Sequence, residues 1–333
     1  MSTCAPLALS LGDPAGIAPE LIAEAWARRE EFALPTFFVV GGANLLEAAA
    51  ATRGLKVKTA RLGAPEEAAC VFGEALPVLG EMDCPYSPGE PQREGALAAL
   101  TSLSMATKLT IAGKASALVT GPIAKSHLAT VGFSQPGQTE FVADACEVAR
   151  EDAVMMLAGP SLRTVPLTVH TALAEVPGLL STDLIVRRAR IVAQALKRDF
   201  GIGRPRLAIC GLNPHAGEDG RFGSEEREII APAIAALVAD GIEATGPHAA
   251  DALFAPHHRD SFDVAIAMYH DQALIPIKTL DFDEGVNVTV GLPIVRTSPD
   301  HGTAYAIAGR NEARPGAMIA AIRMAGECAK RRG

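Results

Sequence analysis

Residues 6–20 read PLALSLGDPAGIAPE. The apolar run 6–11 stops at a Gly-Asp-Pro turn, and Pro19 with Glu20 then stands where a first helical turn would begin. A proline there forfeits no helical hydrogen bond, and an acidic side chain suits the positive end of the helix dipole. The stretch therefore predicts a strand, a tight turn and a helix. Working outward, the same unit recurs. Residues 37–40 form an apolar run ending in Gly41-Gly42, followed by a helical pattern through Ala51. Residues 117–120 lead into Gly121-Pro122 and another helix. Helical periodicity covers 96–112, and further strands are expected near 154–157, 164–169, 207–210, 264–269 and 286–290. Helices are expected over 183–199, 225–239 and 316–330. Alternation at this spacing predicts βαβ units, a mostly parallel sheet and an α/β fold. PYSPGEP at 85–91 reads as a loop. There is no internal repeat or low-complexity linker, and a discontinuous domain stays open.

The chain has 333 residues, suited to two domains, and 49% of them are apolar, enough for a large core. A net charge of −8, with no long basic run apart from Lys330-Arg331-Arg332, argues against a nucleic-acid partner. Cysteines at 4, 70, 84, 146, 210 and 328 form no CxxC and read as reduced thiols of a cytosolic protein. The N-terminus lacks a basic leader, and no apolar run approaches the ~20 residues that span a bilayer. The expectation is a soluble, cytoplasmic protein with no membrane partner.

Eight histidines are present. His127, His248, His257 and His258 lie in helical or turn-like sequence and read as solvated or capping side chains. His170, His215, His270 and His301 are placed differently. His170 follows TVPLTV, His215 lies in CGLNPHAGEDG, His270 follows DVAIAMY, and His301 lies in TSPDHGTA. In open α/β sheets ligands bind beyond the carboxyl ends of strands, so His170, His215 and His270 are placed to converge. Three neutral imidazoles would make a metal site with open positions, with Asp271 orienting a ligand or coordinating directly. Spacings of 45 and 55 residues carry no motif, however, and three unrelated loop histidines stay open.

LGDPAGIAPE suits an anion-binding nest at a helix N-terminus or ordinary βα-turn chemistry, and both stay open. TGPIAKS at 120–126 lacks the GxxxxGK[ST] spacing, which excludes a P-loop, and no GxGxxG follows a strand. In KTLDFDEGVNVTVGLPIVR, Lys278, Asn287 and Arg296 recur every nine residues. Two cations with an amide form a common phosphate-dianion site. Asn287 and Thr289 are unusual polar choices on an apolar, β-like run.

LSLGDPAGIAPEL, VTGPIAK, GQTEFVAD, CGLNPHAGEDGRFGSEE, AMYHDQALIPIK, GVNVTVGLPIVRTSPDHGTA and AGRNEARPGAMIAAI occur in this order over nearly the whole chain. Together they closely resemble the 4-hydroxythreonine-4-phosphate dehydrogenase family. The resemblance implies two α/β domains flanking a cleft, of the isocitrate/isopropylmalate dehydrogenase type and not a Rossmann GxGxxG fold. The domains would be 1–133 with 296–333 on the NAD side, and 134–295 on the metal, substrate and dimer side. The family is a homodimer whose metal site is shared between subunits. By resemblance the ligands of a divalent metal (Zn, Mg or Co) are His170, His215 and His270, with His170 supplied by the partner.

Gln138, Thr139, Lys278, Asn287 and Arg296 match substrate-binding positions. DHGTAYAIAG is similar to the coenzyme loop of the isopropylmalate dehydrogenases, which makes His301, Gly302 and Thr303 candidates for NAD or NADP. Asp271 and Lys278 are the catalytic candidates. The implied reaction oxidises 4-phosphohydroxy-L-threonine to 2-amino-3-oxo-4-phosphooxybutanoate, which decarboxylates to 3-amino-2-oxopropyl phosphate on the way to pyridoxal 5'-phosphate. The alternative is the same chemistry on erythronate or threonate 4-phosphate, or on a carboxylated cyclic diol. Where the family commonly carries His-Thr-Glu, this chain has Gln138-Thr139-Glu140. Either the family's histidine serves as a hydrogen-bond donor alone, which is the preferred reading, or specificity has changed.

Overall fold

A computed structural model describes residues 5–333. Cys4 and the first three residues of the N-terminal reading lie outside the described residues. Among the described residues there are twelve strands: β1 (Leu7–Ser10), β2 (Phe37–Val40), β3 (Thr59–Leu62), β4 (Leu76–Leu79), β5 (Leu118–Thr120), β6 (Val154–Ala158), β7 (Arg163–Pro166), β8 (Arg206–Cys210), β9 (Glu243–His248), β10 (Val264–Ala267), β11 (Val286–Val290) and β12 (Arg296–Pro299). The chain divides into two compact units, one running up to Arg150 and resuming over Leu292–Gly333, the other Glu151–Gly291.

In the first unit the strand order is β3-β4-β2-β1-β5-β12, every neighbouring pair parallel. The opening stretch folds as read: β1 is followed by helix Ala18–Ala27, with Pro19 in its first turn. Parallel strands are covered on both faces, which is why β1 and β2 are buried at every position, without alternation. Leu7, Leu9, Phe37, Phe38, Leu45 and Leu103 are fully buried here. Phe38→Ala should cost about 3–5 kcal/mol through lost burial and the cavity left behind. A urea titration that shows less than 1 kcal/mol would contradict this packing. At the carboxyl ends of β1 and β2, the Ser102 hydroxyl accepts from the Leu11 N–H (2.8 Å) and donates to the Val40 carbonyl (2.7 Å).

In the second unit the order is β11-β6-β7-β10-β8-β9. β11–β6 and β6–β7 are antiparallel, whereas β7, β10, β8 and β9 run parallel. The sheet is thus mixed in this unit, but most of its pairs, like all of those in the first unit, are parallel, as expected. Helix Thr182–Arg198 carries a Ser181 cap whose hydroxyl accepts from the Leu184 N–H at 3.1 Å. Helix Ala231–Ala239 is entered through one π-type turn, Glu226–Ile230.

Cys70, Cys84, Cys146 and Cys210 are free thiols. Burial pushes the Cys210 thiol up to about 12, which leaves it inert. Among the described residues, no helix is long and apolar enough to cross a membrane.

Candidate active site

The parallel strands β7, β10 and β8 are neighbours, so their carboxyl ends lie side by side. The loop after β7 continues along β10, with the Leu167 N–H on the Ala267 carbonyl (2.8 Å) and the Thr168 hydroxyl on the Met268 carbonyl (2.9 Å). It ends at His170, held in a left-handed backbone (φ 52°). Past β10 the chain turns at Tyr269 into helix His270–Leu280, where the sequence showed only a strand end and a downstream cation. Gln272 staples the junction: its amide oxygen accepts from the Met268 N–H (2.7 Å), and its amide nitrogen donates to the Gly211 carbonyl just past β8 (2.8 Å).

This arrangement brings His170 and His270 together, with ring centroids 6.1 Å apart and planes 39° from parallel. His270 Nδ1 lies 2.7 Å from Asp271 Oδ1. A carboxylate on Nδ1 fixes the tautomer that keeps the Nε2 lone pair for a ligand. His215 is not part of this pair. Among the described residues, no three His, Cys, Asp or Glu side chains are grouped closely enough to hold one ion. The resemblance set His170 apart as the partner's ligand, whereas here His170 stands beside His270 of its own chain.

His215 sits on an unusual loop. His215, Ala216, Gly217, Glu218 and Asp219 all have positive φ, from 41° to 80°, in a left-handed turn of which only Gly217 is buried. Each non-glycine residue held this way costs roughly 1–2 kcal/mol. The loop is anchored at its base by Glu226, which is 6% exposed. Its carboxylate accepts from the Asn213 N–H (2.7 Å) and the Asn213 side-chain amide (3.0 Å). Burial pushes this carboxyl upward, but the hydrogen bonds from Asn213 and the Leu212 backbone outweigh it and hold the group below the usual range.

In the first unit, Arg296 on β12 is 3% exposed. Its guanidinium donates to the Thr120 hydroxyl (2.8 Å), the Gln138 amide oxygen (3.1 Å) and the Thr139 hydroxyl (3.4 Å). Burial draws the guanidinium down to about 10, with Glu140 acting in the opposite direction, so it stays charged at neutral pH. Gln138 and Thr139 open helix Gln138–Ala145. The Gln138 amide nitrogen donates to the Gly121 carbonyl at 2.8 Å. The residue that departs from the family pattern is thus a neutral bridge between a backbone carbonyl and a buried cation.

Lys278 and Asn287 belong to the second unit. Lys278 lies eight residues beyond His270 on the same helix, ~12 Å along its axis and about 80° around it. The far end of that helix is pinned by Asp281, which accepts from the Ser161 N–H at 3.0 Å. Asn287 pairs with Leu157 across β11 and β6, and its buried amide oxygen has no hydrogen-bond partner among the described residues.

The loop with His301, Gly302 and Thr303 packs on the opening turn of the chain. The Thr303 carbonyl accepts from the Ile17 N–H at 3.0 Å, and a Cβ on Gly16 would meet that carbonyl at 2.7 Å. Tyr305 donates to Asp13 at 2.5 Å, and His301 Nδ1 lies 3.0 Å from the Gly302 carbonyl. The Asp13 carboxylate also accepts from the Ala15 N–H at 3.0 Å. Asp13 and Thr303 thereby occupy the turn from within, which favours βα-turn chemistry over an anion nest. Gly302 faces open space. Sequence reasoning missed Asp13, Thr120, Glu226 and Tyr305. Each acts on a residue distant in the chain or across a turn whose backbone no local pattern announces.

A family model described as pyridoxal phosphate biosynthetic protein PdxA matches residues 33–325. A 4-hydroxythreonine-4-phosphate dehydrogenase of Erythrobacter litoralis is 64% identical over 98% of this chain and 97% of its own. The crystal structure of 4-hydroxythreonine-4-phosphate dehydrogenase from Klebsiella pneumoniae superposes with a TM-score of 0.84 at 36% identity, covering 98% of each chain. A terephthalate 1,2-cis-dihydrodiol dehydrogenase from Burkholderia xenovorans gives 0.65 at 30% identity, covering 97% of this chain and 98% of its own.

Proposed function

This chain belongs to the family of the pyridoxal phosphate biosynthetic protein PdxA, and on that premise we propose that it oxidises 4-phosphohydroxy-L-threonine with NAD or NADP, dependent on a divalent ion. The product is 2-amino-3-oxo-4-phosphooxybutanoate, which loses CO2 to give 3-amino-2-oxopropyl phosphate. The observation that carries the reading is the His170–His270 pair at two adjacent strand ends, with Asp271 on the inner ring nitrogen.

The imidazole donors suit a divalent ion of the Zn or Co kind, whereas Mg, which the resemblance also allows, prefers oxygen ligands. Two imidazole nitrogens ~2.0–2.1 Å from one ion place their ring centres about 5 Å apart. The observed 6.1 Å is a small side-chain adjustment away. By the resemblance His215 would be the third ligand, in a site shared between two copies of the chain. A homodimer is further supported by an apolar groove of about 430 Å³ beside the pair, lined by Phe254, Tyr269, Asp271, Ile275, Pro276 and Leu280. Ile275 and Phe282 are 62% and 65% exposed on this unit.

When bound, the ion supplies Lewis acidity at the reacting hydroxyl and in the later decarboxylation, and the nicotinamide supplies the hydride acceptor. The chain's own residues do the rest. The substrate's C3 gives up a hydride, and its hydroxyl gives up a proton. Asp271 binds His270 through one oxygen and is largely exposed, so its second oxygen can receive that proton. Arg296, aimed by Thr120 and Gln138, holds the phosphate with Thr139, which fixes the substrate away from the reacting carbon, and Lys278 and Asn287 are the second unit's substrate-binding candidates by resemblance. His301, Gly302 and Thr303, in a loop held to the opening turn through the Thr303 carbonyl, take the coenzyme.

Gln138→Leu removes the group that orients Arg296 and should raise KM for the phosphorylated substrate about tenfold, ~1.4 kcal/mol, with KM for NAD unchanged. Equal changes in both constants would show a general disturbance instead. The reading as a whole is tested by following NADH formation with 4-phosphohydroxy-L-threonine, erythronate 4-phosphate, threonate 4-phosphate and a carboxylated cyclic diol. Turnover of one of the last three without the first would move the assignment to that substrate.

A further inference from the structure

We infer that Glu226 is a positioning residue for His215, a carboxylate clamp that sets the left-handed loop from beneath. The inference rests on the reading of His215 as a metal ligand. The clamp's geometry is specific. One carboxylate oxygen takes the Asn213 backbone N–H and the other takes the Asn213 side chain, whose nitrogen also donates to Glu225 at 2.8 Å. Both bonds fall two residues before His215, at the hinge where the chain enters the left-handed turn.

Two glycines give the carboxylate access to the loop. A Cβ on Gly217 would lie 2.7 Å from Glu226 Oε2, and one on Gly211 would lie 3.1 Å from Oε1. The carboxylate therefore fills the space beneath the turn. The one-turn π element that begins at Glu226 is a distortion of the kind that recurs at functional sites.

A fold-stabilising role does not account for this arrangement. The loop buries only Gly217, so no apolar core is gained by holding four non-glycine residues at positive φ. What the strained backbone does deliver is a fixed, exposed imidazole at the crest of a loop beyond β8. Strain of this sort persists where the surroundings over-determine it, and here the surroundings are Glu226 and Asn213.

The test is a Co2+ titration of the metal-stripped full-length protein, followed by the visible absorption of the bound ion, on wild type, His215→Ala, Glu226→Gln and Gly217→Ala. Glu226→Gln is expected to weaken Co2+ about 10- to 100-fold, the range for residues that support a ligand. The absorption band at saturation and KM for NAD should stay unchanged, and excess Co2+ should restore most of kcat, because every ligand is still present. A general structural defect would not be rescued by metal. Gly217→Ala presses on the same carboxylate from the loop side and should weaken Co2+ in the same way, which keeps the inference testable where Glu226→Gln fails to fold.

Wild-type Co2+ affinity in folded Glu226→Gln, or in Gly217→Ala, overturns the clamp. If His215→Ala binds Co2+ as wild type does, the ligand reading fails instead, and the clamp falls with it. Loss of Co2+ in His215→Ala with no loss in Glu226→Gln leaves the ligand and removes the clamp alone.

Discussion

His270→Ala should lose the bound divalent ion and at least about a thousandfold in kcat/KM, ~4 kcal/mol of transition-state stabilisation, with the fold intact. The ring is half-exposed at the first position of its helix, so its removal opens no core cavity. The Gln272 staple between Met268 and Gly211 is untouched. Thermal unfolding should therefore move little while metal content, measured on the same preparation, falls to background. Asp271→Asn keeps the shape but alters the bond that fixes the His270 tautomer. It should cost about 10- to 100-fold in metal affinity, much less than loss of the ligand itself. Stoichiometric metal in purified His270→Ala would refute the assignment.

Arg296→Lys should raise KM for the phosphorylated substrate about a hundredfold, ~2.7 kcal/mol, and leave KM for NAD within a factor of two. A lysine is a point charge that cannot reproduce the planar fork now shared among Thr120, Gln138 and Thr139. The substitution also leaves the Gln138 amide oxygen and the Thr120 hydroxyl without the donor that holds them, at a site where burial makes such losses expensive. The distinguishing feature is the separation of the two KM values. A side chain that merely supported β12 would disturb both together, whereas a phosphate ligand disturbs one. Initial-rate kinetics with each substrate varied in turn reads this directly.

The strands that the sequence makes legible are those buried on both faces. β1, β2, β8 and β11 each read as a mainly β-branched or apolar run bounded by glycine or proline. The ones it hides are short and compositionally mixed: TARL in β3, LPVL with its internal proline in β4, EATGPH in β9 and RTSP in β12. Neighbouring strands and covering helices, not local propensity, hold these in place. Helix His270–Leu280 is obscured by Pro276 in its interior, which argues locally against the helix that tertiary packing enforces.

The placement of the three candidate histidines beyond strand ends was legible for a simple reason. His170, His215 and His270 each follow a strand-like run, and strand ends are where α/β folds place their chemistry. Which two of the three meet in one chain was not legible, because that depends on strand order. β7 and β10 are neighbours although a hundred residues separate them. The residues that aim the site were also hidden. Glu226 acts on Asn213 across a left-handed turn, and Tyr305 reaches Asp13 from the other end of the chain. Gln138 stood out as a departure from the family pattern, and its place between Gly121 and Arg296 gives the departure a physical role.

The most direct test of the central claim is NADH formation by purified protein given 4-phosphohydroxy-L-threonine and NAD, with and without prior metal removal. The account predicts NADH and CO2 in equal amounts with metal present, almost none after stripping, and recovery when a divalent ion is returned. NADH formation that is indifferent to metal, or none at all with this substrate while another phosphorylated hydroxy acid turns over, would contradict it.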